Sequence, residues 1–293
     1  MTDSAPLASG IRQEFFHDLF TILAQFPHRH APSDPMWRVL RTAALAEVRR
    51  LFAALTPSTV AFGPFGGITL PYHRMGNIDS LDLFGMDELI IFAFYNANRA
   101  RYRRVVDFGA NIGLHSIILA RAGFQVRSFE PDPVHFRLLS TNLELNGAKS
   151  ELHQAAVSID AGRQEFVRVL GNTTGSHLAG AKEDPYGELE RFAVVTEAAQ
   201  PHLEWADLAK IDIEGHEAEL ISRLPPAIWL HTDAVVEIGT PRNAEIVFKY
   251  LMPGPARMFA QKIGWRQVTE LGDMPTSHRD GSLFLTGADR MPW

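Results

Sequence analysis

The stretch Val105-Val106-Asp107-Phe108-Gly109-Ala110-Asn111-Ile112-Gly113-Leu114-His115-Ser116, followed by Phe129-Glu130-Pro131-Asp132, restricts the fold of this chain more than any other part of it. An apolar run ending in Asp107 predicts a buried strand, and Gly109 and Gly113 then open a segment, 117–122, with the pattern of a helix. A turn that brings backbone close to a ligand needs residues without Cβ. Glu130 stands 23 positions after Asp107, at the end of a second apolar run, 124–129. An acid in that place accepts hydrogen bonds from both hydroxyls of an adenosine ribose.

These residues argue against a dinucleotide. A pyrophosphate needs the middle glycine of the G-x-G-x-x-G turn, where this chain has Asn111, and it is repelled by an acid such as Asp107. S-adenosyl-L-methionine suits the turn better. Its ribose matches Glu130, its carboxylate suits the amides at a helix start, and its ammonium and sulfonium suit acids. The expected cofactor-binding set is Asp107, Gly109, Asn111, Gly113, His115, Glu130 and Asp132; His115 is expected to be neutral at its helix start, where it either lines the methionine pocket or is an ordinary polar helix-start residue.

Composition removes several classes of function. With 293 residues and 46% hydrophobic content the chain is long enough to bury a full core. A net charge of −6 with dispersed lysines and arginines provides no basic field, so no nucleic-acid partner is expected. The absence of cysteine excludes disulfides, thiolate nucleophiles and Cys-ligated zinc. Residues 1–10 lack a basic start and an apolar core, and the longest apolar run, 89–95, is too short to span a bilayer; no membrane span and a cytoplasmic location are the expectations.

Apolar residues recur at helical spacing over 11–26 and 36–55, a glycine-rich stretch over 60–72 predicts a short hairpin, and 82–98 predicts a further helix. The first hundred residues are therefore expected to form a helical cap, with 101–293 as the cofactor-binding domain. Beyond residue 105, strands predicted at 105–108, 125–130, 151–157, 209–213 and 234–238 alternate with helices at 112–122, 133–146, 215–223 and 242–252. Such alternation implies an α/β fold with a mostly parallel, doubly wound sheet. The interval 164–196 is expected to be an insertion, with extra strands at 164–170 and 192–196 around a loop at 171–182. Residues 258–271 and 282–286 predict a closing antiparallel pair.

In such a sheet ligands sit beyond the carboxyl ends of the strands, where Asp107, Glu130, Asp212 and Glu237 are all predicted to fall. Asp212, Glu214 and His216 crowd together after the fourth strand and are the candidate catalytic residues, Asp212 first, because an alcohol acceptor must lose its proton to a nearby base. Asp212 is also a candidate cofactor contact. A structural alternative pairs Lys210 with Asp212 and makes Glu214 an anchor for the turn. Asp212, Glu214 and Glu237 could offer oxygens to Mg2+, but carboxylates this close in sequence more often form a solvated strand end, and no metal is predicted. The polar residues Asn172, Thr173, Thr174, Ser176 and His177 suit hydrogen bonding to a hydroxylated acceptor, although a merely solvated loop is the more common case. The triplet Asp184-Pro185-Tyr186 lacks the second proline of an amino-methyltransferase motif and is set aside.

Taken together, Asp107-x-Gly109-Ala110-Asn111-Ile112-Gly113, Phe129-Glu130-Pro131, 142–147 and Lys210-Ile211-Asp212-Ile213-Glu214-Gly215-His216-Glu217 resemble the FkbM-type S-adenosylmethionine-dependent methyltransferases over roughly residues 100–240. The resemblance implies a seven-stranded Rossmann-like methyltransferase sheet and O-methylation of a small-molecule hydroxyl on a sugar, glycolipid or polyketide-like product. It also implies that Ala156 and Val157 pack against adenine. One departure is Leu203-Glu204-Trp205, where the family often has a Leu-Asp pair. The competing readings are a nicotinamide-dependent oxidoreductase, opposed by Asp107 and Asn111, and a catalytically silent scaffold with the same fold. A homodimer is left open.

Overall fold

A computed structural model describes residues 15–182 and 187–293. Residues 1–10, the start of the helix expected over 11–26 and the Asp184-Pro185-Tyr186 triplet lie outside these residues. Two helices come first, α1 (Phe15–Gln25) and α2 (Pro35–Phe52). Two short hairpins follow, β1 (Val60–Ala61) with β2 (Gly67–Ile68) and β3 (Arg74–Met75) with β4 (Ile78–Asp79). Helix α3 (Met86–Ala97) then leads into the main sheet.

The alternating segment is β5 (Arg104–Phe108), α4 (Leu114–Arg121), β6 (Gln125–Phe129), α5 (Pro133–Leu145) and β7 (Glu151–His153). A second sheet is built from β8 (Ala156–Ser158), β9 (Gly162–Val169), β10 (His177–Leu178) and β11 (Leu189–Ala198). The chain returns through α6 (Ala199–Trp205), β12 (Leu208–Ile211), α7 (Glu217–Arg223), β13 (Asp233–Val236) and α8 (Pro241–Leu251), and ends with β14 (Arg257–Ala260), β15 (Arg266–Gln267) and β16 (Leu283–Thr286).

The main sheet has the order β15-β14-β16-β13-β12-β5-β6-β7. Its half from β7 to β13 is parallel, and its half from β13 to β15 is antiparallel. The sheet is therefore mixed and has eight strands among the described residues, not seven; the addition is β15, a two-residue edge strand.

Strands buried on both faces read as continuous apolar runs, and successive side chains alternate between two cores. Val105, Leu208, Val235 and Phe284 join one core, with Phe16 and Phe20 of α1, Phe92 of α3, Ile117 of α4 and Leu139 of α5. Val106, Ala209, Val236 and Leu285 join the other, with Leu203 of α6, Leu220 of α7 and Val247 of α8. The N-terminal helices thus share a core with the helices that follow the glycine turn.

Several boundaries differ from expectation, and two of them shape the strand ends described below. The strand predicted over 151–157 breaks after His153, because its ladder partner β6 ends at Phe129 opposite that residue. The chain then pairs as β8 with Thr196, Glu197 and Ala198 in the second sheet. The strand predicted over 209–213 stops at Ile211, and Glu214 takes a left-handed conformation with φ 55°. Lys210, Asp212 and Glu214 consequently do not share one extended face.

Candidate functional site

The adjacent strands β6, β5, β12 and β13 end side by side, and the residues just after them are Glu130, Gly109, Asp212 and Glu237. All four line one cavity of about 580 Å³, within the roughly 300–1,000 Å³ range usual for small-molecule sites. Its far wall is the 171–182 loop, including Thr173, Thr174, Ser176 and His177, and β8 supplies Ala156 and Val157. A backbone bond from Asn77 to the Gly171 carbonyl, 2.7 Å, ties that loop to the β3–β4 hairpin.

Glu130 is built in from both sides. Its Oε2 accepts the Asn111 amide at 2.8 Å and its Oε1 the Asp132 amide at 2.9 Å. Asn111 sits at φ 52°, a left-handed geometry that its side chain supports by accepting the Ile112 amide at 2.7 Å. Burial pushes the Glu130 carboxyl up to about 8, against the pull of those two amides. Gly109 is obligatory for a different reason: at φ +80° a Cβ would lie 1.8 Å from the Asp212 carbonyl oxygen. Glycine here lets the ends of β5 and β12 close up.

Lys210 ties the same strand ends together. Its Nζ donates to the Gly109 carbonyl at 2.8 Å and lies 3.5 Å from Asp107 Oδ1 and 3.4 Å from Asp212 Oδ2. Burial alone would lower Lys210, but Asp212, Asp107 and Glu88 hold it above the usual lysine range, so it is a fixed cation.

The turn after β12 is shaped by Glu217, which is buried and accepts the amides of Ile213 and Gly215 at 2.8 and 2.9 Å. That carboxylate folds the turn so that Glu214 meets Lys182 at 2.6 Å. Burial, followed by the charge of Asp212, pushes both Glu214 and Glu217 up to about 7. His216 sits 3.4 Å from Ser158 Oγ and is lowered by burial. Asp212, Glu214 and His216 all line the cavity.

Asp107, Gly113, His115 and Asp132 are not on its wall, and each has another task. Asp107 is fully buried and accepts from Ser116 Oγ at 2.7 Å. Gly113, at φ 96°, precedes α4 where a Cβ would meet Leu139 at 2.7 Å. The His115 ring is turned toward α3, 2.6 Å from Glu88 and 3.1 Å from the Tyr95 hydroxyl. Asp132 caps α5 through the Val134 amide and is held in bidentate fashion by Arg168 at 2.6 and 2.7 Å. In the ligand-free chain the His115 ring and the Asp132 carboxylate are thus engaged by protein partners.

The cavity also contains residues that no motif announced. Glu88, in the first turn of α3, faces it; burial alone would raise this carboxyl, but His115 and Lys210 hold it below the usual range. Asp87, His135, Lys182 and His278 are there too. The only available signal was an acidic pair, Asp87-Glu88, at a predicted helix start, where acids are ordinary. Among the described lining residues seven are carboxylic acids and one, Lys182, is a lysine or arginine. That wall favours a cationic ligand and opposes a pyrophosphate. Among the described residues no group of three or more His, Asp or Glu side chains is arranged to hold a metal ion, and no helix is long and apolar enough to cross a membrane.

No family model matches the sequence. A curated relative, the methyltransferase sdnD of Sordaria araneosa, is 32% identical over 208 residues, which cover 59% of this chain and 80% of that protein. The chain belongs to the methyltransferase family that this relative represents. Looser likenesses occur among solved structures. A SAM-dependent methyltransferase from Agrobacterium tumefaciens is 11% identical over 79% of this chain and 70% of its own, with a TM-score of 0.40. Cofactor-bound Rv0187 from MTB is 15% identical over 66% and 77%, with a TM-score of 0.37.

Proposed function

We propose that this protein is an S-adenosylmethionine-dependent O-methyltransferase of the FkbM type that acts on the hydroxyl of a small molecule, a sugar or a polyketide-like product. The observation that carries this is Glu130: each oxygen is anchored by one backbone amide and keeps a free lone pair at the edge of an acid-lined cavity. A carboxylate so held is suited to a ribose diol. Gly109 and Asn111 would form the floor beside the ribose, and Ala156 and Val157 would pack against adenine. Asp212 would face the cationic end of the donor, which supplies an activated methyl group.

On the acceptor side the loop hydroxyls of Thr173, Thr174 and Ser176, with His177, would orient a polar molecule, and Glu214 and His216 would border it. Positioning does most of the work in a displacement of this kind. The test is isothermal calorimetry of the purified protein with S-adenosylmethionine, S-adenosylhomocysteine and NAD, followed by a panel of phenols, sugars and aliphatic alcohols monitored for S-adenosylhomocysteine release. Binding of the first two but not NAD, with release stimulated by one alcohol class, supports the proposal. Binding of NAD alone would return the protein to the oxidoreductases, and donor binding with no turnover on any acceptor would favour a silent scaffold.

A further inference from the structure

Six of the seven carboxylates on the cavity wall are held by the protein itself. Asp82 receives the Asp79 amide, Asp87 the side chains of Trp37 and Gln261, Glu88 the ring of His115, and Glu130 its two amides. Asp212 is paired with Lys210, and Glu214 with Lys182. The Glu237 carboxylate alone has no hydrogen-bond or ion-pair partner among the described residues, and it lines the cavity. A half-buried carboxylate with no protein partner on a cavity wall is open to a ligand group or a proton.

Its place along the sheet says which ligand group it would meet. Neighbouring strands lie about 4.8 Å apart, so Asp212 is roughly 10 Å and Glu237 roughly 14 Å from Glu130 along the row of strand ends. From a ribose hydroxyl to the transferable methyl is five bonds of about 1.5 Å, a reach of at most about 7 Å. An attacking oxygen sits about 3 Å further on, and its base within hydrogen-bond reach of that oxygen. With Glu130 on the ribose, Asp212 falls beside the sulfonium and Glu237 falls on the acceptor side.

Resting on the donor assignment above, we propose that Glu237 takes the proton of the acceptor hydroxyl, and that the positive charge of the donor makes it able to do so. In the step, the hydroxyl oxygen gives an electron pair to the methyl carbon, the carbon–sulfur pair stays on sulfur, and the hydroxyl proton passes to Glu237. Burial, followed by the charges of Asp212, Glu214, Glu88 and Glu217, holds Glu237 well above the ordinary carboxylate range. The cations facing this cluster, Lys210 and Lys182, are engaged by Asp212 and Glu214. Without a ligand the protonated form of Glu237 is therefore favoured. A sulfonium arriving nearby favours the carboxylate and expels that proton. Once the methyl group has left, the sulfur is neutral and the carboxyl again holds a proton.

The test needs no known acceptor. Calorimetry of the full chain near neutral pH, in two buffers of different ionisation enthalpy, counts protons released on binding S-adenosylmethionine and, separately, S-adenosylhomocysteine. Glu130 contacts the same ribose in both, so its proton cancels in the difference. The wild type should release more protons with the sulfonium than with the thioether. Glu237→Gln should erase that difference while binding S-adenosylhomocysteine within about threefold of wild type. Glu237→Asp, which keeps the acid, should retain the difference, and it decides the matter if the glutamine variant does not fold. Equal proton release in the wild type overturns the proposal, as does a difference that survives Glu237→Gln or moves to Glu214→Gln. A loss of about tenfold or more in S-adenosylhomocysteine affinity makes Glu237 a donor ligand instead of a base. A wild type that binds neither compound overturns the donor assignment itself.

Discussion

The Asn111 amide and the Glu130 carboxylate meet at 2.8 Å across 19 positions of sequence, joining the turn after β5 to the end of β6. The bond orients one carboxylate oxygen and leaves its second lone pair toward the cavity. Glu130→Ala removes the expected ribose contact and also frees the Asn111 amide. Losing two charge-assisted hydrogen bonds should cost about 3 kcal/mol, more than a hundredfold in donor affinity. Calorimetry showing undiminished affinity would take Glu130 out of the site.

Gly109→Ala should be far more damaging than Gly123→Ala, although both positions have positive φ, +80° and +96°. At Gly123 nothing lies within 4 Å of an added Cβ, so only backbone strain of about 1–2 kcal/mol applies. At Gly109 the Cβ would collide with the Asp212 carbonyl and force β5 and β12 apart. Thermal melts of the two variants check this, and similar midpoints would contradict it.

The ligand-free protein should gain stability as pH falls from about 8 to about 6.5. Glu130, Glu214 and Glu217 titrate at about 8, 7 and 7 when folded, above the ordinary 4.5. Their stabilising contribution is complete below the unfolded value and is lost as pH rises through the folded ones. Below about 6.5 the buried histidines His30, His135 and His216, whose values are lowered by burial, act in the opposite sense. A melting-temperature maximum near pH 6 is expected. A midpoint that rises steadily from pH 6 to 8 would show that these acids are ionised in the folded state.

Arg168→Met should destabilise the protein by about 3 kcal/mol, because it leaves the buried Asp132 carboxylate without its bidentate partner. Donor affinity should be unchanged in the protein that remains folded. A large loss of affinity with little loss of stability would place Asp132 on the ligand after all.

The strand, glycine turn and helix at 105–121, the acid at the end of β6 and the alternation that yields a parallel half-sheet were all legible locally, because burial on both faces and the steric demand for glycine act on neighbouring residues. The presence of Asp212, Glu214 and His216 on the cavity wall was legible too, through their crowding after one strand. Glu88 and Lys182 were not, since an acid at a helix start and a lysine in a polar loop are ordinary features that gain meaning only from what faces them. The break after His153 depends on where β6 ends, and the eighth strand depends on a two-residue pairing with β14. Local chemistry thus determined the elements and the acid at the end of β6. Tertiary structure decided which carboxylates are paired with Lys210 and Lys182 or hydrogen-bonded to His115 and which one, Glu237, is left without a side-chain partner on the cavity wall, because such pairing is settled by distances that sequence spacing does not encode.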